Sequence, residues 1–168
     1  AYFLLDSIPA AYQSYRQARQ SLLPELADFP ELALAEEVPA SRRLACQAIL
    51  ENEAWTLLTL AKSNSAAIHL PKALQLFDFN LRLNQLSLLN YRERMDREIG
   101  SYRLHRVFDG AIEASWMLYE ITGEKAHLER AFSYNERSKA SLLREALKAS
   151  AARAFAGIPD SVLQLETQ

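Results

Sequence analysis

Apolar and polar positions follow a helical period along most of the chain, most clearly from Gly100 to Lys148. Val107, Ala111, Ala114, Leu118 and Ile121 recur at three- and four-residue steps, with Trp116 and Tyr119 beside that stripe. Leu128, Ala131 and Phe132, then Leu142, Leu143, Ala146 and Leu147, repeat the period, with Arg130, Glu136, Arg137 and Lys139 between them. Such spacing gathers the apolar side chains on one face of a helix. Thr122-Gly123 marks a stop between the two patterns, because glycine reaches the left-handed conformation without a Cβ clash. Helix, short turn and helix make an αα-hairpin. Trp116 and Tyr119 are expected to wedge its helices together, and Ala131 and Ala140 to let helices approach closely.

Upstream, a helix is predicted from Ser41 through Leu44, Ala48, Leu50, Ala54, Leu57, Leu58 and Ala61, ended by the turn chemistry of Ser63-Asn64-Ser65. The next starts near Ala66, carries Pro71 in its first turns and continues through Leu74, Phe77, Leu81 and Leu88. Asn90 to Ile99 offers an extension, and Gly100-Ser101 a break with a new N-cap. Near the N-terminus Ser7 is placed to cap a helix with Pro9 in its first turn, where a missing N–H costs nothing. Ala10, Ala11, Ser14, Ala18 and Leu22 give that helix a small-residue stripe, and Ala1 to Asp6 reads as the end of a truncated helix. Pro24, Pro30 and Pro39 make residues 24–40 a connector, with one helical turn around Glu31 to Glu36. Four glycines, six prolines and valine at only 38, 107 and 162 leave no material for strands, so the fold class is all-α.

The chain also repeats itself. HLPKALQLF from His69 aligns with HLERAFSYN from His127, an offset of 58 residues (127 − 69), and the turns before them fall at nearly the same offset. Self-similarity of this kind predicts stacked units, each unable to bury its own faces alone. The expected architecture is an α-solenoid of stacked antiparallel hairpins with lengthened helices. Its parts are a truncated repeat and connector over 1–40, a hairpin over 41–99, a second over 100–156, and the start of a connecting helix over 157–168.

LYEITGEKAHLERAFSYNERSKASLLREAL resembles a tetratricopeptide (TPR) hairpin, with an aromatic near the end of the first helix, a turn glycine and small residues in the second. NERSKASLLREAL followed by AFAGIPDSVLQLE is similar to the last repeats before the protease-like domain of bacterial CHAT proteins (caspase-like domains associated with TPRs). The resemblance covers Leu74 to Glu166 in its specific part. It implies a TPR-like scaffold of a CHAT-domain protein that senses or regulates through a protein or peptide partner. It also implies an adjacent caspase-like domain, encoded after Gln168, as a partner of the same polypeptide. The His and Cys motifs of that domain are absent from these residues, so no catalytic residue transfers. The repeat period departs from the familiar TPR length of about 34 residues.

Charge narrows the partners. Nineteen basic and 21 acidic residues are well mixed, with a net charge of −2, which offers no footprint for nucleic acid or an anionic membrane. The most basic stretch, Tyr91 to Arg97, is interrupted by acids and reads as a self-paired solvated face. No apolar run approaches the roughly 18 residues of a membrane span, and the start lacks the basic n-region of a signal peptide. A single Cys46 excludes an internal disulfide and fits the cytoplasm.

Candidate chemistry is sparse. Cys46 lies among Leu44, Ala45 and Ala48 with no base at a telling spacing, so it reads as a packing residue. His69, His105 and His127 are dispersed, and no metal-ligand set or phosphate-cradling glycine cluster is present. Glu36-Glu37 and Glu51-x-Glu53 read as solvated acids. The expectation is therefore no enzyme, no cofactor and no metal. In a TPR hairpin the inner face of the first helix lines a groove. Matching Tyr119 and Gly123 to the motif places Glu113, Met117 and Glu120 there, and the 58-residue offset adds Trp55, Thr59 and Lys62. Packing of Trp55 and Met117 between repeats is the competing reading. A compact helical bundle binding a small ligand is the alternative to a peptide-binding scaffold.

Overall fold

The computed structural model describes residues 7–24, 35–63, 65–88 and 94–155, without the side chains of 88, 94–102, 145, 148, 149 and 151–155. Five helices occupy them: α1 (Ile8–Leu22), α2 (Ala40–Ser63), α3 (Ala66–Leu88), α4 (Arg94–Thr122) and α5 (Lys125–Phe155). No strand occurs among the described residues, and none of the helices is long and apolar enough to cross a membrane. The expected truncated helix over 1–6, most of the turn at 31–36 and the connecting helix over 157–168 lie outside the described residues. The chain falls into two units, 1–134 and 135–168.

Helix ends follow the turn residues. Gly123 takes a left-handed φ of 70°, donates its N–H to the Tyr119 carbonyl at 2.8 Å and closes α4 where the sequence places the stop. Ser65 does the same work before α3, with φ 54°, and its carbonyl accepts the N–H groups of Ile68 and His69. These two left-handed residues are 58 positions apart (123 − 65), the offset of the sequence repeat. Ser7 stands at the N-cap of α1 with Pro9 in the first turn, but its side chain makes no capping bond. The break expected at Gly100-Ser101 does not exist, since α4 runs through it from Arg94. One interior glycine costs only about 1 kcal/mol, which a helix of 29 residues absorbs. α3 ends at Leu88 and α4 starts at Arg94.

In the first unit α2 is central, packing on α1, α3 and α4, while α3 also packs on α4. Its buried residues accordingly circle the helix: Cys46, Leu50, Ala54, Leu57, Leu58 and Ala61, with Gln47, Glu51, Glu53 and Thr56 among them. Arg43 donates to the Leu86 carbonyl at 3.3 Å and Asn80 to the Gln47 carbonyl at 2.7 Å, so α2 and α3 run antiparallel. Lys62 meets Glu113 and Glu51 meets Arg106, numbers that rise together, so α2 and α4 run parallel.

The acids expected to be solvated at 51 and 53 are both buried. Two residues apart, they point about 200° from each other around the helix, one toward α4 and one toward α1. Glu53 takes a bidentate pair of bonds from Arg19 of α1, Nε to Oε2 at 2.8 Å and Nη2 to Oε1 at 3.2 Å, with both side chains shielded from solvent. Of the small-residue stripe expected on α1, Ala11, Ala18 and Leu22 are partly buried and Ala10 and Ser14 exposed, while Ile8 and Arg19 are fully buried.

Between α3 and α4 the contact is apolar and close. A Cβ on Gly110 would lie 2.7 Å from Cε1 and 2.9 Å from Cε2 of Phe77, and nearer still to Cζ. The Phe77 ring meets Trp55 of α2 edge-on, with centroids 6.1 Å apart and an angle of 80°. Arg19 and Phe77 are themselves 58 residues apart (77 − 19). An ion pair at the first helix crossing thus stands where a phenyl ring on glycine stands at the second.

The first residues of α5 are fastened by Tyr134, whose hydroxyl donates to Asp78 Oδ1 at 2.6 Å and accepts from Arg130 Nε at 2.9 Å, while Arg130 also bonds Asp78. Burial and the Asp78 carboxylate raise the Tyr134 phenol above its ordinary range. Ala131 is buried as expected, but Ala140 is exposed. Trp116 is not a core wedge: it is 47% exposed and packs on Tyr119 at 5.8 Å. It sits two residues from both Ala114 and Leu118, on the opposite side of the helix from that buried stripe. Ile121, Leu128 and Phe132 are likewise exposed. In the second unit Lys139 pairs with Glu136 at 2.8 Å, and Leu142, Leu143 and Leu147 are exposed.

Two stability outcomes follow. Alanine at Gly110 gains about 0.8–1 kcal/mol of helix propensity but overpacks against a buried ring, which costs about 1–3 kcal/mol. Gly110→Ala is therefore expected to lower the urea midpoint, and Phe77→Leu in the same chain to restore part of it; a raised midpoint for the single variant would contradict the rigid seat. Arg19→Met or Glu53→Leu alone is expected to cost about 3–5 kcal/mol by stranding a buried charge, with most of the loss recovered in the double variant. A double variant as unstable as either single one would show that packing, not stranded charge, sets the cost.

Candidate functional site

The parallel pair α2 and α4 presents a shared face made of residues their core stripes leave outward. On α2 these are Asn52, Trp55, Thr59 and Lys62, and on α4 Arg106, Glu113, Met117 and Glu120. All six residues expected to line a groove lie on these two helices. Lys62 and Glu113 are brought together, Nζ to Oε1 at 2.6 Å. Trp55 and Met117 are partly buried against the core, Thr59 donates its hydroxyl to the Trp55 carbonyl at 2.9 Å, and Glu120 is exposed. The two proposed roles of Trp55 thus merge, since it packs on Phe77 and still faces the seam.

Further along the seam, Glu51 is 3% exposed and faces Arg106 Nε at 3.2 Å and Arg103 Nη1 at 4.0 Å. The Arg106 guanidinium also lies over the Trp55 ring, 5.8 Å from its centroid, a placement that contributes about 0.5–1 kcal/mol where solvent reaches it. Burial raises the Glu51 carboxyl above its ordinary 4.5, and Arg106 and then Arg103 oppose this without overcoming it. Trp55 Nε1 is buried without a hydrogen-bond partner, as is Gln47 Nε2 one turn before Glu51. Such orphaned donors are costly. The seam therefore joins one buried acid, two half-exposed guanidiniums and an aromatic ring.

Glu51, Arg103 and Arg106 escape a reading of sequence alone. Arg103-x-x-Arg106 and Glu51-x-x-x-Trp55 do have the spacings of single helix faces. What joins them is the register between α2 and α4. Trp55 faces Arg106 and Lys62 faces Glu113, an offset of 51 in both cases (106 − 55 and 113 − 62). The sequence repeat runs at 58, so facing residues differ from repeat-equivalent ones by two helical turns.

Cys46 is buried in the core of the first unit. Burial and then Lys72 lower the His69 pKa, and its Nδ1 has no partner. His127 lies 3.6 Å from Glu124. Glu36 is exposed and pairs with Arg82. No group of three or more His, Cys, Asp or Glu among the described residues could hold a metal ion. Comparison with protein-family models, curated proteins and solved structures finds no match to the chain.

The Glu51 shift has a defined sign. Its folded pKa exceeds the unfolded value, so the stability it contributes is full below about pH 4.5 and lost as pH rises through the folded pKa. Glu51→Gln, which imitates the protonated carboxyl, is expected to be more stable than the parent at pH 7, with the gap closing toward pH 4.5. Denaturant titrations of both chains at several pH values check this. A variant less stable at pH 7 than at acid pH, relative to the parent, would mean the two arginines outweigh burial.

Proposed function

We propose that the chain is a non-catalytic, TPR-like helical repeat scaffold that holds a protein or peptide partner along the α2–α4 face. The observation that carries this reading is the parallel pairing of α2 and α4, with Trp55, Lys62, Arg106, Glu113 and Glu120 on one shared, partly exposed surface. The equal spacing of the left-handed residues Ser65 and Gly123 supports a repeating hairpin. Helices joined this way leave the first helix of each hairpin side by side, and a mixed row of charges and an aromatic ring suits a polypeptide with alternating side-chain types. The Lys62–Glu113 pair is solvent-exposed, so opening it for a ligand costs about 0–1 kcal/mol. Resemblance to CHAT proteins adds that the scaffold senses or regulates for a caspase-like domain of the same polypeptide in a bacterial cytoplasm.

The test is retention of a partner by the immobilised chain, mass-spectrometric mapping of the bound peptide, and titration with that peptide. Glu120→Ala is expected to weaken binding about tenfold, equivalent to about 1.4 kcal/mol, without moving the urea midpoint. Wild-type affinity in both Glu120→Ala and Lys62→Ala would remove the seam as the binding face.

A further inference from the structure

The charges along the α2–α4 face are sorted by sign. At one end Arg103 and Arg106 stand against a single acid, Glu51, whose side chain is 3% exposed where theirs are 35% and 42% exposed. Glu53, the other acid on this part of α2, is paired with Arg19 of α1. What reaches solvent here is therefore cationic. Arg106 turns its Nε to Glu51 at 3.2 Å and lies over the Trp55 ring. That placement orients the guanidinium and leaves its Nη groups for another acceptor. Beyond Arg106 the sign reverses. From 107 to 122 α4 carries Asp109, Glu113 and Glu120 and no base, and from 56 to 63 α2 offers only Lys62. Lys62 is taken up by Glu113 at 2.6 Å. Asp109 and Glu120 are exposed, so this end is anionic.

Helix geometry converts the polarity into a spacing. Arg106 and Glu120 are 14 positions apart on one helix (120 − 106), which is about 21 Å of rise and within about 40° of the same side. An extended chain advances about 3.3 Å per residue and returns its side chains to one face at every second position. About six residues thus span the two ends, and an even step points both terminal side chains at the seam. We infer, resting on the reading of this face as a peptide-binding surface, that it takes an extended segment of a partner with an acidic side chain at one end and a basic one about six residues away, the acid on Arg103 and Arg106 and the base on Glu120. A carboxylate set on guanidinium groups makes charge-assisted bonds. Thr59, Met117 and the self-cancelling Lys62–Glu113 pair lie between the ends and suit uncharged side chains. A segment laid the other way round meets like charge at both ends, so the pattern selects as well as attracts.

Phage selection of random peptides of about twenty residues on the immobilised full chain supplies the probes. They are made with acetylated and amidated ends, so that only side chains carry charge, and titrated by fluorescence anisotropy. Enriched sequences are expected to share an acid and a base about six positions apart. Changing that acid to its amide should weaken binding about tenfold, and changing it to lysine should abolish it. Arg106→Glu should reject the selected peptide and accept the lysine-bearing one, a swap that an unfolded variant could not show. Enriched peptides that need Glu120 and Lys62 but lack the paired charges, or carry them about fourteen apart as a helix would, would overturn the inference and leave the scaffold standing. Peptides that bind regardless of their acid, or fail to swap on a folded Arg106→Glu chain, would do the same. No enrichment, or binding unchanged in both Glu120→Ala and Lys62→Ala, would remove the binding face itself and the inference with it.

Discussion

The seat of Phe77 on Gly110 sets the geometry of the first unit. A missing side chain on α4 lets α3 come close enough for a phenyl ring to lie against backbone, and the ring then supports Trp55 by its edge. Trp55 in turn carries Arg106, so the spacing between two helices is passed on to the polar face of a third. Close packing makes such a chain of contacts stiff, since each side chain occupies the only volume left by its neighbours. The equivalent crossing between α1 and α2 solves the same problem with charge. A bidentate Arg19–Glu53 pair is directional and selects one register, but it gives up hydration that a phenyl ring never had. Two crossings at the same sequence offset are thus of two kinds, one held by shape and one by electrostatics.

The seam between α2 and α4 shows a related compromise. Glu51 is held buried between two guanidiniums although burial outweighs their attraction. Two buried donors nearby, on Trp55 and Gln47, also go without partners. A fold selected for stability alone would replace this set with leucine and alanine. Polar groups retained at a cost are the departure from local rules that functional sites show, and this supports the proposed binding face.

Local physics made the helices readable. Period, turn chemistry and the scarcity of glycine and proline place α2, α3 and the α4–α5 reversal at Gly123 close to where they are found, because each depends on residues within a few positions. Gly100 misleads for a local reason too: an isolated glycine weakens a helix without ending it. The burial of Glu51 and Glu53 was not readable, because each depends on an arginine some 30 to 55 positions away whose approach is set by helix register. Trp116 and Phe132 mislead in the opposite direction. Large apolar residues are assumed to be covered, but both are exposed, because cover depends on which face of a helix meets a neighbour. The six groove residues were legible as two helix faces, but the offset that brings Lys62 to Glu113 belongs to tertiary structure alone.

The charged crossing at Arg19 has a kinetic consequence. Lifting α4 from α3 would expose the Phe77 ring and the apolar stripe beneath it. Lifting α1 from α2 instead returns water to both Arg19 and Glu53, so hydration offsets much of what the broken ion pair had contributed. α1 has only Ile8 and Arg19 fully buried along its length, with Tyr12 and Leu22 partly buried against the core. It should open as its own small cooperative unit, well below the energy of global unfolding. Its amide protons would then exchange with deuterium before those of α2 and α3, and a protease meeting the intact fold would find its first foothold there.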